Sequence, residues 1–308
     1  MDRLPIGLVF PGQGTQKEKM GAAWRDTPSW ALVAEISEAA GEDLAELLLD
    51  TPDAQLRRTD LAQLAVFTVS LVAHAEAVRT GALDGFEVVA CAGHSLGEYA
   101  ALTAAGALTV PAAAALVATR GRAMRAAAEQ HEGTMGVLVA APLEEVAELT
   151  ARVRADGHDL WVANVNAPGQ TVVSGSPGAV AHIDALAPSI GAKMIRLQVG
   201  GAFHSPYMAP AAERLRAALK DTAFAPAHLP VVANVDATAY TGDCDWPELS
   251  TRQLTSPVLW EQSVRTLTGP LGCRRLVEIG PGRTLAGLVR RIAPDTGTAS
   301  LDGPAALG

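Results

Sequence analysis

Aromatic residues are scarce in this chain: Phe, Trp and Tyr together make up 4% of 308 residues, although 49% are hydrophobic. A core of that composition is filled by alanine and aliphatic side chains, which suits helices packed closely on a sheet. Cysteine is scarcer still. Cys91, Cys244 and Cys273 are an odd number without metal-ligand spacing, which argues against a disulfide framework or a metal module and leaves core filling as their expected use. Basic residues are outnumbered, 24 Lys and Arg against 33 Asp and Glu, for a formal charge of −9, and no basic run occurs. That balance argues against a nucleic-acid partner. No uninterrupted apolar run reaches membrane-spanning length. Met1-Asp2-Arg3 leads into the short apolar stretch Ile6 to Phe10, which Pro11-Gly12 interrupts too early for a signal peptide. A cytoplasmic protein with no membrane partner is expected, long enough for one large domain or two coupled ones.

The most informative stretch runs from Val88 to Ala100. Val88-Val89-Ala90-Cys91-Ala92 reads as a buried strand, Gly93-His94-Ser95-Leu96-Gly97 is a G-x-S-x-G pattern, and a helical run from Leu96 to Leu108 follows. Strand, tight turn and helix in that order are what a nucleophile elbow requires. The flanking glycines remove Cβ atoms that would collide with strand and helix, and the first helical amides face the hydroxyl. The pattern alone occurs often by chance; its context makes Ser95 a candidate nucleophile.

In chain order, Ile6 to Phe10 predicts a strand ending at Pro11-Gly12-Gln13-Gly14-Thr15-Gln16, which by itself reads as an ordinary turn with exposed amides. Helices are expected over Trp30 to Ala40, Leu44 to Leu49 and Leu61 to Val78, the last apolar on nearly every face and therefore buried. Another begins near Pro111 and runs to Gln130, with Arg120 on its apolar stripe; an arginine there is ordinarily solvated or snorkelling. From 131 to 199 the pattern becomes strand (Thr134 to Ala140), helix (Leu143 to Asp156), strand (Leu160 to Val165), strand (Gln170 to Ser174), helix (Ser176 to Ile190), strand (Lys193 to Val199). That order predicts a small ferredoxin-like subdomain inserted into a large α/β-hydrolase-like domain with a parallel sheet, formed by 1–130 and 200–308. Later elements are Met208 to Ala218 (helix), Val231 to Asn234 (strand), Trp246 to Gln253 and Leu259 to Leu267 (helices), Arg275 to Ile279 (strand) and Leu285 to Ile292 (helix). The tail from Pro294 is expected to be loosely ordered.

A serine nucleophile needs a base. Seven histidines are available: His74, His94, His131, His158, His182, His204 and His228. His94 adjoins Ser95, but its side chain leaves the turn in another direction. His204, in Gly200-Gly201-Ala202-Phe203-His204-Ser205-Pro206, follows a predicted strand, where catalytic groups collect in α/β folds. On the residues alone His204 stands out, and a structural role stays open.

Six local patterns occur in order: Phe10-Pro11-Gly12-Gln13-Gly14-Thr15-Gln16, Gly93-His94-Ser95-Leu96-Gly97-Glu98-Tyr99, Arg120-Gly121-Arg122-Ala123-Met124, Asn164-Val165-Asn166-Ala167-Pro168-Gly169-Gln170, Gly201-Ala202-Phe203-His204 and Glu278-Ile279-Gly280-Pro281-Gly282. Together they resemble the malonyl-CoA:acyl carrier protein transacylases, a fold shared with polyketide synthase acyltransferases, over residues 6 to about 292. The resemblance implies Ser95 as the acylated nucleophile and His204 as its base, with the backbone carbonyl of Gln253 orienting the imidazole in place of a triad carboxylate. It implies the amides of Gln13 and Leu96 as the oxyanion hole and Arg120 as the partner of the malonyl carboxylate, since a guanidinium fork suits bidentate carboxylate binding. Phe203, Asn166 and His94 fall in the substrate-binding motifs, and Phe203 favours malonyl over a group branched at the α-carbon. Family members specific for malonyl in polyketide synthesis often carry His where Gly201 stands.

The implied reaction moves a malonyl group from malonyl-CoA to the phosphopantetheine thiol of an acyl carrier protein through a malonyl-serine, for fatty acid or polyketide synthesis. It calls for no metal and no redox cofactor. Acyl-CoA and a carrier protein are the expected partners, and a monomer the expected state. An acidic carrier would dock on a local basic patch, for which Arg274-Arg275 and Arg290-Arg291 are candidates. Three other readings stand beside it. An acyltransferase shuttling an unusual acyl group between two carriers uses the same residues. An α/β-hydrolase esterase shares G-x-S-x-G but places its histidine near the C-terminus, whereas about a hundred residues follow His204. A non-catalytic carrier-binding scaffold would have no need of Ser95 and His204.

Overall fold

The computed structural model describes residues 3–307. Its strands are β1 (Leu4–Phe10), β2 (Phe86–Gly93), β3 (Thr134–Val139), β4 (Leu160–Ala167), β5 (Gln170–Gly175), β6 (Lys193–Arg196), β7 (Ala227–Val232), β8 (Ala239–Gly242), β9 (Arg275–Ile279) and β10 (Gly297–Leu301). They form two sheets, one of six strands in the order β10-β9-β1-β2-β7-β8 and one of four in the order β4-β5-β3-β6. The central strands β1 and β2 end in fully buried runs, as strands covered on both faces do. They pair in parallel and end together, Phe10 opposite Gly93, so the Pro11–Gln16 loop and the elbow leave the sheet side by side.

The larger sheet is mixed, not purely parallel as expected. β8 turns back on β7 in antiparallel register, a short edge strand that the sequence pattern did not mark. The tail is also more regular than expected. Gly297–Leu301 runs parallel to β9 in a five-residue register, because an edge strand takes its conformation from the ladder it joins and not from its own small side chains. Three predicted elements are shorter. The elbow helix spans Gly97–Ala104, where Gly106 at φ 76° breaks it. The helix from Pro177 ends at Leu186 in a 3-10 turn, and β6 stops at Arg196.

Residues 131–199 contribute the second sheet, antiparallel throughout, with helices Leu143–Ala155 and Pro177–Leu186 packed on it around an aliphatic core of their own. Its β4 is tied to the larger part beside the elbow: Val258 N donates to Ala163 O and Val165 N to Val258 O, both at 2.9 Å, and Leu259 N donates to Asn234 O at 2.9 Å. The cleft between the two sheets is thereby held at one end.

Helix Thr59–Arg79 is buried along nearly its whole length and packs against helix Val110–Gln130. By length and composition it could cross a membrane, but most of it lies inside the fold and Gln63, Ser70 and Glu76 interrupt its apolar surface. Cys91 and Cys273 are buried and Cys244 half-buried, none in a disulfide. Burial pushes the thiols of Cys91 and Cys273 up to about 12, so they are inert fillers.

Candidate active site

The elbow follows from two glycines. A Cβ on Gly93 would collide with the backbone of Gly97, and one on Gly97 with the backbone of Phe10 and Pro11, so strand, turn and helix close only with hydrogen at both positions. Ser95 itself is held at φ 52°, a left-handed conformation that costs a residue with a side chain energy and must be imposed by its surroundings. His204 is held likewise, at φ 56°. These two are among only five non-glycine residues with positive φ in the described chain, and they face each other.

Ser95 Oγ lies 2.8 Å from His204 Nε2. The opposite ring nitrogen, Nδ1, is 2.8 Å from the carbonyl oxygen of Gln253. A carbonyl only accepts, so Nδ1 carries the proton and Nε2 presents its lone pair to the serine. Burial, and then the positive charge of Arg120, depress the imidazole to about 3. His204 is therefore neutral at physiological pH and free to take a proton.

Arg120 is only 1% exposed, not solvated as an arginine on such a stripe ordinarily is. Its Nη1 donates to Gln63 Oε1, and its Nη2 donates to Ser95 Oγ (2.9 Å) and to Gln253 Oε1 (3.0 Å). Its Nε has no hydrogen-bond partner; the Tyr99 hydroxyl is near enough to favour the cation but outside bonding geometry, and the guanidinium sits 5.8 Å from the centre of the Tyr99 ring. Among the described residues no carboxylate pairs with it. A guanidinium buried with only neutral partners and a spare N–H is a receptor for an anion.

The amides of Gln13 and Leu96 both border the cleft beside Ser95. Their neighbours are engaged, Gly14 N with Gln16 Oε1 (2.7 Å) and Ser95 N with Asn234 Oδ1 (2.6 Å), whereas neither of these two amides meets an acceptor among the described residues. The loop carrying Gln13 is pinned by Thr59 Oγ1, which donates to Gln13 Oε1 at 2.8 Å. Asn166 and His94 are paired with each other, Oδ1 and Nε2 2.9 Å apart, and burial lowers the His94 imidazole below its ordinary range. Phe203 is buried against the cleft, and its ring fills the space that a Cβ on Gly201 would enter at 2.9 Å. All nine residues singled out in the sequence except Gln253 border one cavity of about 390 Å³ between the two sheets; Gln253 lies behind it.

Three buried polar residues escaped sequence reasoning. Gln63 holds Arg120 from helix Thr59–Arg79, and an amide on an otherwise apolar helix was the signal for it. Asn234, just beyond β7, clamps the elbow: besides accepting from Ser95 N it donates through Nδ2 to Gly93 O at 2.7 Å. Glu98, one turn into the elbow helix, accepts from Asn234 N and from Gln253 Nε2, both at 2.7 Å. Burial pushes the Glu98 carboxyl up to about 7 against the pull of those donors and of Arg120.

Three of the four arginines considered for docking have partners. Arg275 lies over the Phe86 ring, Arg290 donates to Thr298 Oγ1 (3.2 Å), and Arg291 bridges to Pro168 O (3.1 Å) and Gln170 Oε1; Arg274, Arg290 and Arg291 are exposed.

A left-handed serine on an elbow, a neutral histidine oriented by a carbonyl, two open amides and a buried cation define an acyl-transferring site. The family model described as the acyl transferase domain matches residues 8–294. The "Malonyl CoA-acyl carrier protein transacylase" of Bacillus subtilis (strain 168) is 37% identical over 290 residues, 93% of this chain and 90% of that protein. The "Polyketide biosynthesis malonyl CoA-acyl carrier protein transacylase PksC" of the same organism is 34% identical, covering 94% and 98%. A solved structure described as "PlMCAT:AntF (holo): type II PKS acyl-carrier protein in complex with its malonyl-transacylase" superposes with a TM-score of 0.92 at 33% identity, over 98% of this chain and 97% of that one. This chain belongs to the acyl transferase domain family, among the malonyl-CoA:acyl carrier protein transacylases.

Proposed function

We propose that the protein transfers a malonyl group from malonyl-CoA to the phosphopantetheine thiol of an acyl carrier protein. Ser95 Oγ attacks the thioester carbonyl while His204 Nε2 takes its proton, the Gln253 carbonyl keeping the imidazole in the required tautomer. The oxyanion forms against the amides of Gln13 and Leu96, where removing one such donor typically costs about 3 kcal/mol. His204 then protonates the departing CoA sulfur, leaving malonyl on Ser95. It next takes the proton of the incoming carrier thiol, and as the second thioester forms and the ester bond to Ser95 breaks it returns that proton to the leaving Ser95 Oγ. Arg120 turns from the serine hydroxyl to the malonyl carboxylate. Each step is an acyl or proton transfer by named side chains, so the reading calls for no cofactor.

One observation carries it: a neutral imidazole and an unpaired buried guanidinium converge on the same hydroxyl, at 2.8 and 2.9 Å. The imidazole suits acylation, and the cation suits an acyl group with a free carboxylate, because an uncharged acyl chain would leave it stranded. Phe203 beside the acyl position supports malonyl over α-branched groups, and the His94–Asn166 pair borders the same chamber. Residues 131–199 fit a ferredoxin-like subdomain inserted in an α/β-hydrolase-like domain of 1–130 and 200–308, supported by the order β4-β5-β3-β6 and by the elbow after β2. Use of CoA esters and three unpaired cysteines suit a reducing cytoplasm.

Intact-protein mass spectrometry after mixing with malonyl-CoA tests the reading. A malonyl adduct in the wild type and none in Ser95→Ala is expected. A folded wild type that takes no acyl group from malonyl-CoA would overturn it and turn attention to acyl groups delivered by a carrier.

A further inference from the structure

Gln253 does more than present a carbonyl to His204. Its side-chain oxygen accepts from Arg120 Nη2, and its amide nitrogen donates to both Ser95 O (3.0 Å) and Glu98 Oε1 (2.7 Å). An amide can be seated either way round, so something must decide which end faces the guanidinium. The donor-only guanidinium and the Ser95 carbonyl both favour the observed seating, and the Glu98 carboxyl fixes it from the far side. Its second oxygen is held by Asn234 N, a backbone donor that cannot turn over, and the same asparagine holds the Ser95 amide and the Gly93 carbonyl. Glu98 is 1% exposed and touches neither Ser95 Oγ nor the cavity.

We propose that Glu98 is a positioning residue whose two oxygens set the orientation of the Gln253 amide and the Asn234 clamp, and thereby aim Arg120 at the acyl carboxylate and hold the Ser95 turn. This rests on the malonyl reading above. Replacing Glu98 by glutamine keeps shape and volume but puts an NH2 where an acceptor is needed. Asn234 N claims the one remaining oxygen, so the new NH2 faces the NH2 of Gln253. Either those donors confront each other or Gln253 turns over, which sets its NH2 against Arg120 and its oxygen against the Ser95 carbonyl. The first pushes the Gln253 side chain off its seat and the second turns a donor toward Arg120, so either loosens the aim of the guanidinium.

The test compares wild type, Glu98→Gln, Gln253→Leu and the double variant, each checked for folding by circular dichroism, with malonyl-CoA and acetyl-CoA as competing donors. In Glu98→Gln the malonyl-over-acetyl ratio of acylation rates is expected to fall at least about tenfold, the scale of one hydrogen bond to a charged group. Gln253→Leu, which keeps its main-chain carbonyl, is expected to lose the same discrimination, and the double variant no more than either single one, because both act through one link. An equal fall with both donors would mean a merely structural role, and additive losses would mean separate ones; either overturns the proposal. Should Glu98→Gln not fold, a folded Gln253→Leu with wild-type discrimination overturns it alone, and lost discrimination supports it. A wild type without malonyl preference would instead sink the underlying reading.

Discussion

Arg120→Ala bears most directly on how this site chooses its acyl group. In the free protein the guanidinium has three neutral acceptors, Gln63, Ser95 and Gln253, and one unpartnered N–H. Acylation turns the Ser95 oxygen that accepts from Nη2 into a weakly accepting ester oxygen, so Nη2 and Nε can both turn to the malonyl carboxylate. Hydrogen bonds to charged groups contribute about 1.5–3 kcal/mol each, so two give roughly 3–6 kcal/mol gross. Part of this is offset by the Nη2 contact given up, and the lower bound, about 3 kcal/mol, is the safer expectation; it corresponds to a bit more than 100-fold in rate. Arg120→Ala should therefore lower malonylation of Ser95 by about two orders of magnitude while acetylation from acetyl-CoA is unchanged or faster. Arg120→Lys, which keeps the charge but not the fork, should fall between. The assay is acylation rate by rapid-quench mass spectrometry with each donor. A folded Arg120→Ala enzyme that still prefers malonyl would refute the reasoning, because among the described residues Arg120 is the cation hydrogen-bonded to the serine.

Phe203→Ser should open the acyl chamber and raise loading from methylmalonyl-CoA relative to malonyl-CoA; an unchanged ratio in competition would show that the ring does not border the α-carbon. Asn234→Ala leaves the buried Ser95 N–H and Gly93 C=O without partners, so a loss of roughly 1–3 kcal/mol in denaturant unfolding is expected, with a slower acylation step. Glu278 accepts from the first amides of helix Thr284–Ile292, Leu285 N (3.1 Å) and Ala286 N (2.8 Å), yet burial pushes its carboxyl from 4.5 up to about 7. Between those values the folded state holds a proton that the unfolded chain has released, so this group makes stability fall as pH rises from about 4.5 through about 7 and level off above. Glu278→Gln should flatten that part of the stability profile measured by thermal melting; an unaltered slope would assign it elsewhere.

What the chain alone determined is what is local in it. The elbow is strand, turn and helix in immediate succession, and Gly93 is dictated by a contact four residues along, with Gly97; Gly97 answers instead to the end of β1 at Phe10 and Pro11. The burial of helix Thr59–Arg79 is legible in its lack of a polar face, and the βαββαβ order of 131–199 in alternating apolar runs and turns. β8 and β10 were not legible, since short edge strands borrow their shape from a neighbour far along the chain. The same distance hid the site's supports. Ser95 and Asn234 are 139 positions apart, and Gln253 and Glu98 155 apart. A glutamic acid on a helix or an asparagine after a strand is unremarkable until folding removes water and leaves each only the partners that the fold supplies. Arg120 shows the limit most sharply: its place on an apolar stripe was visible, but whether that stripe faced solvent or Ser95 was decided only by the packing of helix Val110–Gln130 against helix Thr59–Arg79. Burial turned a commonplace surface charge into an unpaired cation beside the nucleophile, because desolvation makes a guanidinium depend on whatever anion the site admits.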